Sequence, residues 1–133
     1  MYRGSCLCGE VTFSIKNEIK DIVCCHCSRC RKAQGSAYAT NGNIDLQNFK
    51  FLSGENNLTH YQSSNTQTKS FCKTCGSPIF SKNTLNPNTI RIRLGTIESD
   101  INERPKAHVF VTSKANWDDI TDELPKYKKY ITE

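Results

Sequence analysis

The chain of 133 residues predicts a mainly β fold with little helix. Short apolar runs alternate with polar residues at a period of two, and turn residues interrupt them at intervals of about ten residues. Stretches with helical periodicity are scarce. The length fits one domain, 1–133, with a core over 2–118 and a C-terminal tail over 119–133.

The elements follow in order. Over 8–15, Val11, Phe13 and Ile15 alternate with polar neighbours, as a half-buried strand requires. Ile22–Cys24 is a short apolar run entering a cysteine-dense stretch. Phe49–Leu52 is a strand candidate stopped by Ser53-Gly54, and Leu58–Gln62 is the next, with a polar hairpin over 63–67. Thr68–Phe71 leads into a third cysteine group and Pro78–Phe80 leads out of it. Thr89–Leu94 alternates cleanly up to Gly95, and Ala107–Thr112 is a further strand. Helix is confined to a turn or two after Cys30, through Arg31, Lys32 and Ala33, and a frayed turn over 117–120.

Apolar residues make up 36% of the chain, a modest supply for a core of this size. Eight cysteines can supplement it. The N-terminus shows no apolar segment of signal-peptide type, so a cytoplasmic location is expected, where thiols bind metal more often than they pair. The formal charge is +5. Seven thiolates around two Zn²⁺ ions would bring it down to about +2. A nucleic-acid partner therefore draws little support from charge, and no apolar run is long enough to suggest a membrane span.

The cysteines fall into two constellations. Cys6-Leu7-Cys8-Gly9 and Cys72-Lys73-Thr74-Cys75-Gly76 are two close pairs far apart in sequence, the arrangement a tetrahedral four-thiolate site needs. Gly9 and Gly76 permit the tight turns that aim N–H groups at sulfur. The second constellation is Cys24-Cys25-His26-Cys27-Ser28-Arg29-Cys30. In an extended stretch Cys25 and Cys27 share one face and Cys24 and His26 the other. A turn through Ser28-Arg29 then returns Cys30 to Cys25 and Cys27, giving three thiolates with an open fourth position, as in catalytic zinc sites. Cys24 becomes a small buried apolar residue. Three other readings stay open: redox-active dithiols, iron in place of zinc, and closure of the second site by His26.

Other residues carry weaker signals. His60 and His108 read as hydrogen-bonded or surface histidines, and Trp117 with Phe110 and Val111 as core. Arg29, Arg31 and Lys32 stand next to the open site, either as contacts for an anionic ligand such as glutathione or as a solvated turn.

Four blocks together resemble the GFA family (glutathione-dependent formaldehyde-activating enzyme-like, or CENP-V/GFA domain). They are Gly4-Ser5-Cys6-Leu7-Cys8-Gly9-Glu10-Val11, Cys25-His26-Cys27-Ser28-Arg29-Cys30-Arg31-Lys32, Phe71-Cys72-Lys73-Thr74-Cys75-Gly76-Ser77, and Ala107-His108-Val109-Phe110 with Ser113-Lys114-Ala115-Asn116-Trp117. The resemblance implies an Mss4-like fold of small antiparallel sheets pinned by zinc. It implies a structural zinc on Cys6, Cys8, Cys72 and Cys75 and a second zinc, at the active site, on Cys25, Cys27 and Cys30. It also implies carbon–sulfur lyase chemistry, joining formaldehyde to the glutathione thiol as S-hydroxymethylglutathione. The expected partners are a small thiol and an aldehyde. The alternative is a non-catalytic module binding protein or nucleic acid, motivated by the formal charge and by Lys126, Lys128 and Lys129.

Overall fold

The alternation over 89–94 decides the architecture. In a computed structural model describing residues 1–131, it forms strand β9 (Thr89–Arg93). Ile90 and Ile92 are buried on one side, opposite Ile44 and Gly42 of β4 (Ala39–Asp45), and Ile92 also faces Phe80 of β8 (Pro78–Asn83). Side chains directly opposite each other on neighbouring strands share a face. Ile44, Ile90, Ile92 and Phe80 therefore line the apolar side of the sheet.

Around this centre run β3 (Lys20–Cys25), β6 (Leu58–Gln62), β7 (Gln67–Cys72) and β10 (Ala107–Val109). The resulting seven-stranded sheet has the order β10-β3-β4-β9-β8-β7-β6, antiparallel throughout except for the parallel β10–β3 pair. A second, three-stranded sheet is formed by β1 (Tyr2–Ser5), β2 (Thr12–Ile15) and β5 (Phe49–Ser53) in the order β1-β2-β5. Its Phe13 and Ile15, both fully buried, join Ile79, Ile90 and Ile92 in one core cluster. Phe13 stacks on Phe49 with ring centroids 5.2 Å apart. Burial of such side chains contributes about 1.5–3 kcal/mol each.

The fold is the mainly β one expected, with a single α-helix, α1 (Ser28–Gln34). Several elements differ from the sequence reading. Val11 lies in the turn before β2, and β10 ends at Val109 because Phe110 takes a left-handed conformation (φ 57°) that no strand continues. The chain leaves the sheet there through a 3₁₀ turn at Val111–Ser113. Trp117 consequently emerges at the surface, 68% exposed, and is not core; residues 117–120 form no helical turn. The opening strand suggested by the block Gly4–Val11 lies earlier, as β1 (Tyr2–Ser5), with Cys6–Val11 in the turn after it, and β4 carries no strand signal in the sequence.

Beyond the helix, residues 125–129 run beside β10. The His108 N–H donates to the Pro125 carbonyl at 2.9 Å, and the Tyr127 N–H donates to the His108 carbonyl at 2.9 Å. Tyr130 stacks edge-on against Phe110 at 4.8 Å. Residues 132–133 of the expected tail lie outside the described residues. No helix among the described residues is long and apolar enough to cross a membrane.

Candidate metal centres

The Sγ atoms of Cys6, Cys8, Cys72 and Cys75 lie within 4.8 Å of one another, as do those of Cys25, Cys27 and Cys30. Either group could hold a metal ion. In the first group Cys6 Sγ and Cys8 Sγ are 3.6 Å apart, and Cys8 Sγ and Cys72 Sγ 3.8 Å. Zinc–sulfur bonds of about 2.3 Å at tetrahedral angles place sulfurs about 3.8 Å apart, so the donor set fits zinc.

Turns position the first cluster. Gly9 (φ 84°) and Gly76 (φ 79°) sit in the left-handed region where glycine is favoured, each just after the second cysteine of its pair. The Gly76 N–H donates to the Cys72 carbonyl at 2.8 Å, closing that knuckle. Neutral donors surround the sulfurs: the Val11 N–H donates to Cys6 Sγ at 3.3 Å, and Asn57 Nδ2 donates to Cys72 Sγ at 3.4 Å. The Ser77 hydroxyl, 3.3 Å from Cys75 Sγ, is the main cause holding that thiol down to about 5. Cys8 is pushed up to about 12: the Glu10 N–H favours its thiolate, but burial and the neighbouring sulfurs outweigh it.

The second cluster stands where β3 runs into α1. Cys27 is the helix N-cap, and its Sγ accepts the Cys30 N–H at 3.3 Å. Gly35 closes the helix in the left-handed region (φ 63°). Hydrogen bonds from the Cys25 and Cys30 thiols drive Cys27 down to about 2, while the same contact with Cys27 drives Cys25 strongly upward. One sulfur ionises readily and its neighbours keep their protons. A divalent ion replaces those protons and removes the conflict, so this donor set also fits zinc.

The face of each residue is the alternating one read from the sequence. Cys24 is buried against the opposite side, where burial raises its thiol and Thr40 is its partner. His26, 0% exposed, also points away from the sulfurs. Its Nε2 lies 2.8 Å from His108 Nδ1, whose Nε2 lies 2.9 Å from an Asp122 carboxylate oxygen. Burial, then the charge of His108, depresses His26. Closure of the second site by His26 is thus incompatible with this geometry. His60 is held by Ser70 at 2.7 Å.

A cavity of about 410 Å³ opens from Cys25, Cys27 and Cys30. Its floor is the polar side of the large sheet, which the sequence reading passed over. Register places Asn41 opposite Arg93, Arg91 opposite Ser81, and Ser81 opposite Lys69, so all five share that face. Arg93 is only 4% exposed; its Nε donates to Gln34 Oε1 at 3.2 Å. Burial lowers the pKa of both Arg93 and Lys69, and the thiolates of Cys25, Cys27 and Cys30 counter this in each case. Lys69 and Arg93 also line an adjoining cavity of about 640 Å³, which is walled by Phe71, Pro78 and Phe80.

Of the helix cations, Arg29 lines both cavities and Lys32 lines the larger. Arg31 lines neither; its Nε donates to the Ser113 carbonyl at 3.2 Å. The signal that could have found Arg91 and Arg93 was their alternation with Ile90 and Ile92, which marks one shared face.

Two cysteine clusters that could each hold a metal ion stand on a mainly β scaffold. The chain belongs to the Glutathione-dependent formaldehyde-activating enzyme (GFA) family, which it matches over residues 1–113. It is 29% identical over 79 residues to an uncharacterized lyase of Schizosaccharomyces pombe, a match covering 59% of this chain and 56% of that protein. The chain spans little more than half the length of that curated relative. The crystal structure of a Rhodobacter sphaeroides protein has a TM-score of 0.63 and 29% identity, over 77% of this chain and 97% of that one.

Proposed function

We propose that the protein is a zinc-dependent carbon–sulfur lyase that makes or breaks the adduct of a thiol with a small aldehyde. Glutathione and formaldehyde are the pair suggested by the family name. One observation carries the reading: three cysteine sulfurs converge at the mouth of a polar cavity, with no fourth protein ligand in the cluster among the described residues. Cys25, Cys27 and Cys30 are assigned as ligands of this second zinc, and Cys6, Cys8, Cys72 and Cys75 as ligands of a structural one.

Zinc held by these three thiolates would supply Lewis acidity and favour the ionised form of a bound thiol. The chain supplies the rest. Cys27, as helix cap, and Cys25, at the end of β3, hold their sulfurs at the mouth of the cavity. Lys69 and Arg93 line the cavity together with the three sulfurs, where their positive charge attracts an incoming thiolate. In the forward direction the thiolate sulfur forms a bond to the aldehyde carbon, and the carbonyl π electrons move to oxygen. That oxygen takes up the proton the thiol released. The reverse step breaks the carbon–sulfur bond and returns both components. The edge-on pair of Phe110 and Tyr130 lines one side of the cavity.

The test is to load the protein with zinc and follow glutathione–formaldehyde adduct exchange by NMR. Exchange faster than the spontaneous reaction, and lost in Cys27→Ser, is expected. A rate equal to the spontaneous one would overturn the reading. The lysine-rich segment gives the non-catalytic alternative little support, since Lys126 Nζ is directed at the carbonyls of Asp122 and Leu124.

A further inference from the structure

We infer that residues 122–130 form a strap beside the open cluster, and that Tyr130, at its end, sets the bulk a ligand can have next to the sulfurs of Cys25, Cys27 and Cys30. The strap lies beyond residue 113, where the match to the family ends. The inference concerns access to the sulfurs and holds for any reaction carried out there.

Anchoring is the first argument. Besides the bonds of His108 to Pro125 and Tyr127, the Phe110 N–H donates to the Lys129 carbonyl at 2.9 Å and the Val111 N–H to the Tyr127 carbonyl at 3.1 Å. Thr112 Oγ1 donates to the Lys128 carbonyl at 3.0 Å. The segment thus runs along the exit of β10, parallel to it at the His108–Lys126 bridge. The Asp122 carboxylate clips its other end, accepting from His108 Nε2 at 2.9 Å and from the Leu124 N–H at 3.0 Å. A backbone tied at so many points presents its side chains in a fixed direction.

Packing is the second argument. Tyr127 packs on the small core of Val23, Cys25, Ala107 and Val109, to which Cys27 and Cys30 also belong. The strap therefore rests on the residues that carry the three sulfurs.

The cavity lining is the third argument. Phe110 and Tyr130 are the two aromatic residues around the sulfur cavity; the others are cysteines and polar or cationic side chains. Phe110 turns out of the sheet at its left-handed φ, and Tyr130 meets it edge-on. Tyr130 is 72% exposed, so its ring adds little to the core. What it adds is a rigid apolar surface at the cavity. Neither ring lines the adjoining larger cavity, so the restriction is confined to the sulfur end.

Paired alkylation of the zinc-loaded full chain with N-methylmaleimide and N-cyclohexylmaleimide tests the inference. Both reagents are neutral and carry the same reactive group, so their difference reads bulk. Rates are followed at Cys25 and Cys27 by peptide mass spectrometry and divided by those of free cysteine. In the unmodified protein the small reagent is expected to be favoured about tenfold. Tyr130→Ala should bring the ratio to within about twofold of that for free cysteine at an unchanged melting temperature, and Tyr130→Phe should keep it. Asp122→Ala should lower the ratio part of the way, and Asp122→Asn, whose amide oxygen still accepts from His108, should restore it. The ratio at Cys8, exposed in the other cluster, should not change in any variant. A ratio in the unmodified protein equal to that of free cysteine, or one that Tyr130→Ala leaves unchanged, would overturn the inference. Failure of the small reagent to reach Cys27 in Tyr130→Ala would do the same, because the side held by Tyr130 would then be no route to the sulfurs.

Discussion

The two cysteine clusters use the same ligand type in different surroundings. Around Cys6, Cys8, Cys72 and Cys75 the contacts are neutral: a serine hydroxyl, an asparagine amide and backbone N–H groups. Around Cys25, Cys27 and Cys30 there is a cavity lined by four cations, Arg29, Lys69, Arg91 and Arg93. Four sulfurs, enough for a tetrahedral ion, bring the segment after β1 beside the end of β7 and the turn that follows it. Three sulfurs leave a position to fill. On the assignment proposed above, the cluster that holds the chain has neutral contacts and the cluster that receives a ligand has cationic ones.

The sharpest way to break this comparison is to remove one sulfur from each. Structural zinc in small domains is worth about 10–16 kcal/mol, as much as or more than the ~5–15 kcal/mol of net stability such domains possess. Cys72→Ser, at a fully buried ligand, should therefore abolish cooperative unfolding at 25 °C by circular dichroism. Cys27→Ser should melt cooperatively while its zinc content falls from about two ions to about one. Equal damage from the two substitutions would refute the division.

Chelation gives a milder version of the same contrast. A strong zinc chelator should extract one equivalent quickly from the open cluster without loss of β signal. The second equivalent should leave slowly, together with unfolding; a single release phase would count against the difference in access.

Backbone strain offers a smaller effect. Gly76→Ala and Gly35→Ala each force an L side chain into the left-handed region, at about 1–2 kcal/mol, although the space around both is open. The first should weaken retention of the slowly released zinc, and the second that of the quickly released one.

The smallest effect separates acid unfolding from acid release of metal. Glu103 accepts hydrogen bonds from the Tyr2 hydroxyl at 2.5 Å and the Ile19 N–H at 2.7 Å. Burial works against its ionised form, but these bonds outweigh it and depress the pKa. Its stabilising contribution is therefore present above the ordinary carboxylate range and is lost as pH falls through the depressed value. Glu103→Gln should lower the melting temperature near neutral pH by an amount corresponding to about 1 kcal/mol or less, and the difference should vanish in acid. A constant difference across pH would show that ionisation of Glu103 is not involved.

Cysteine spacing made both clusters legible in the sequence, because ligand geometry imposes spacing directly. The alternation of Ile90 and Ile92 with Arg91 and Arg93 made β9 legible for a similar reason. Strand β4 was hidden by its own role. Asn41 belongs to the cavity, and Gly42 is required because Ile19 lies 2.3 Å from where its Cβ would be, so the segment lacks the apolar run that marks a strand. The cationic floor was hidden for another reason. Lys69, Arg91 and Arg93 each read as the solvent side of a strand, and only the register across β7, β8 and β9 puts them together. Trp117 misled because its size suggests core, whereas the turn at Phe110 carries it to the surface.

The parallel pairing of β10 with β3 has a consequence for the order of assembly during synthesis. His26 and His108 meet across 82 residues, and β10 lies beyond every cysteine of both clusters. All seven metal-binding sulfurs have been made once Cys75 is added, while Ala107 follows roughly 2–6 seconds later at ordinary ribosomal rates of about 5–20 residues per second. Each cluster can therefore take its metal on a chain still lacking β10. On a chain that takes its metal first, β10 is the last strand to dock, and with it form the His26–His108 pair on the face away from the sulfurs and the Phe110–Tyr130 contact beside the cavity.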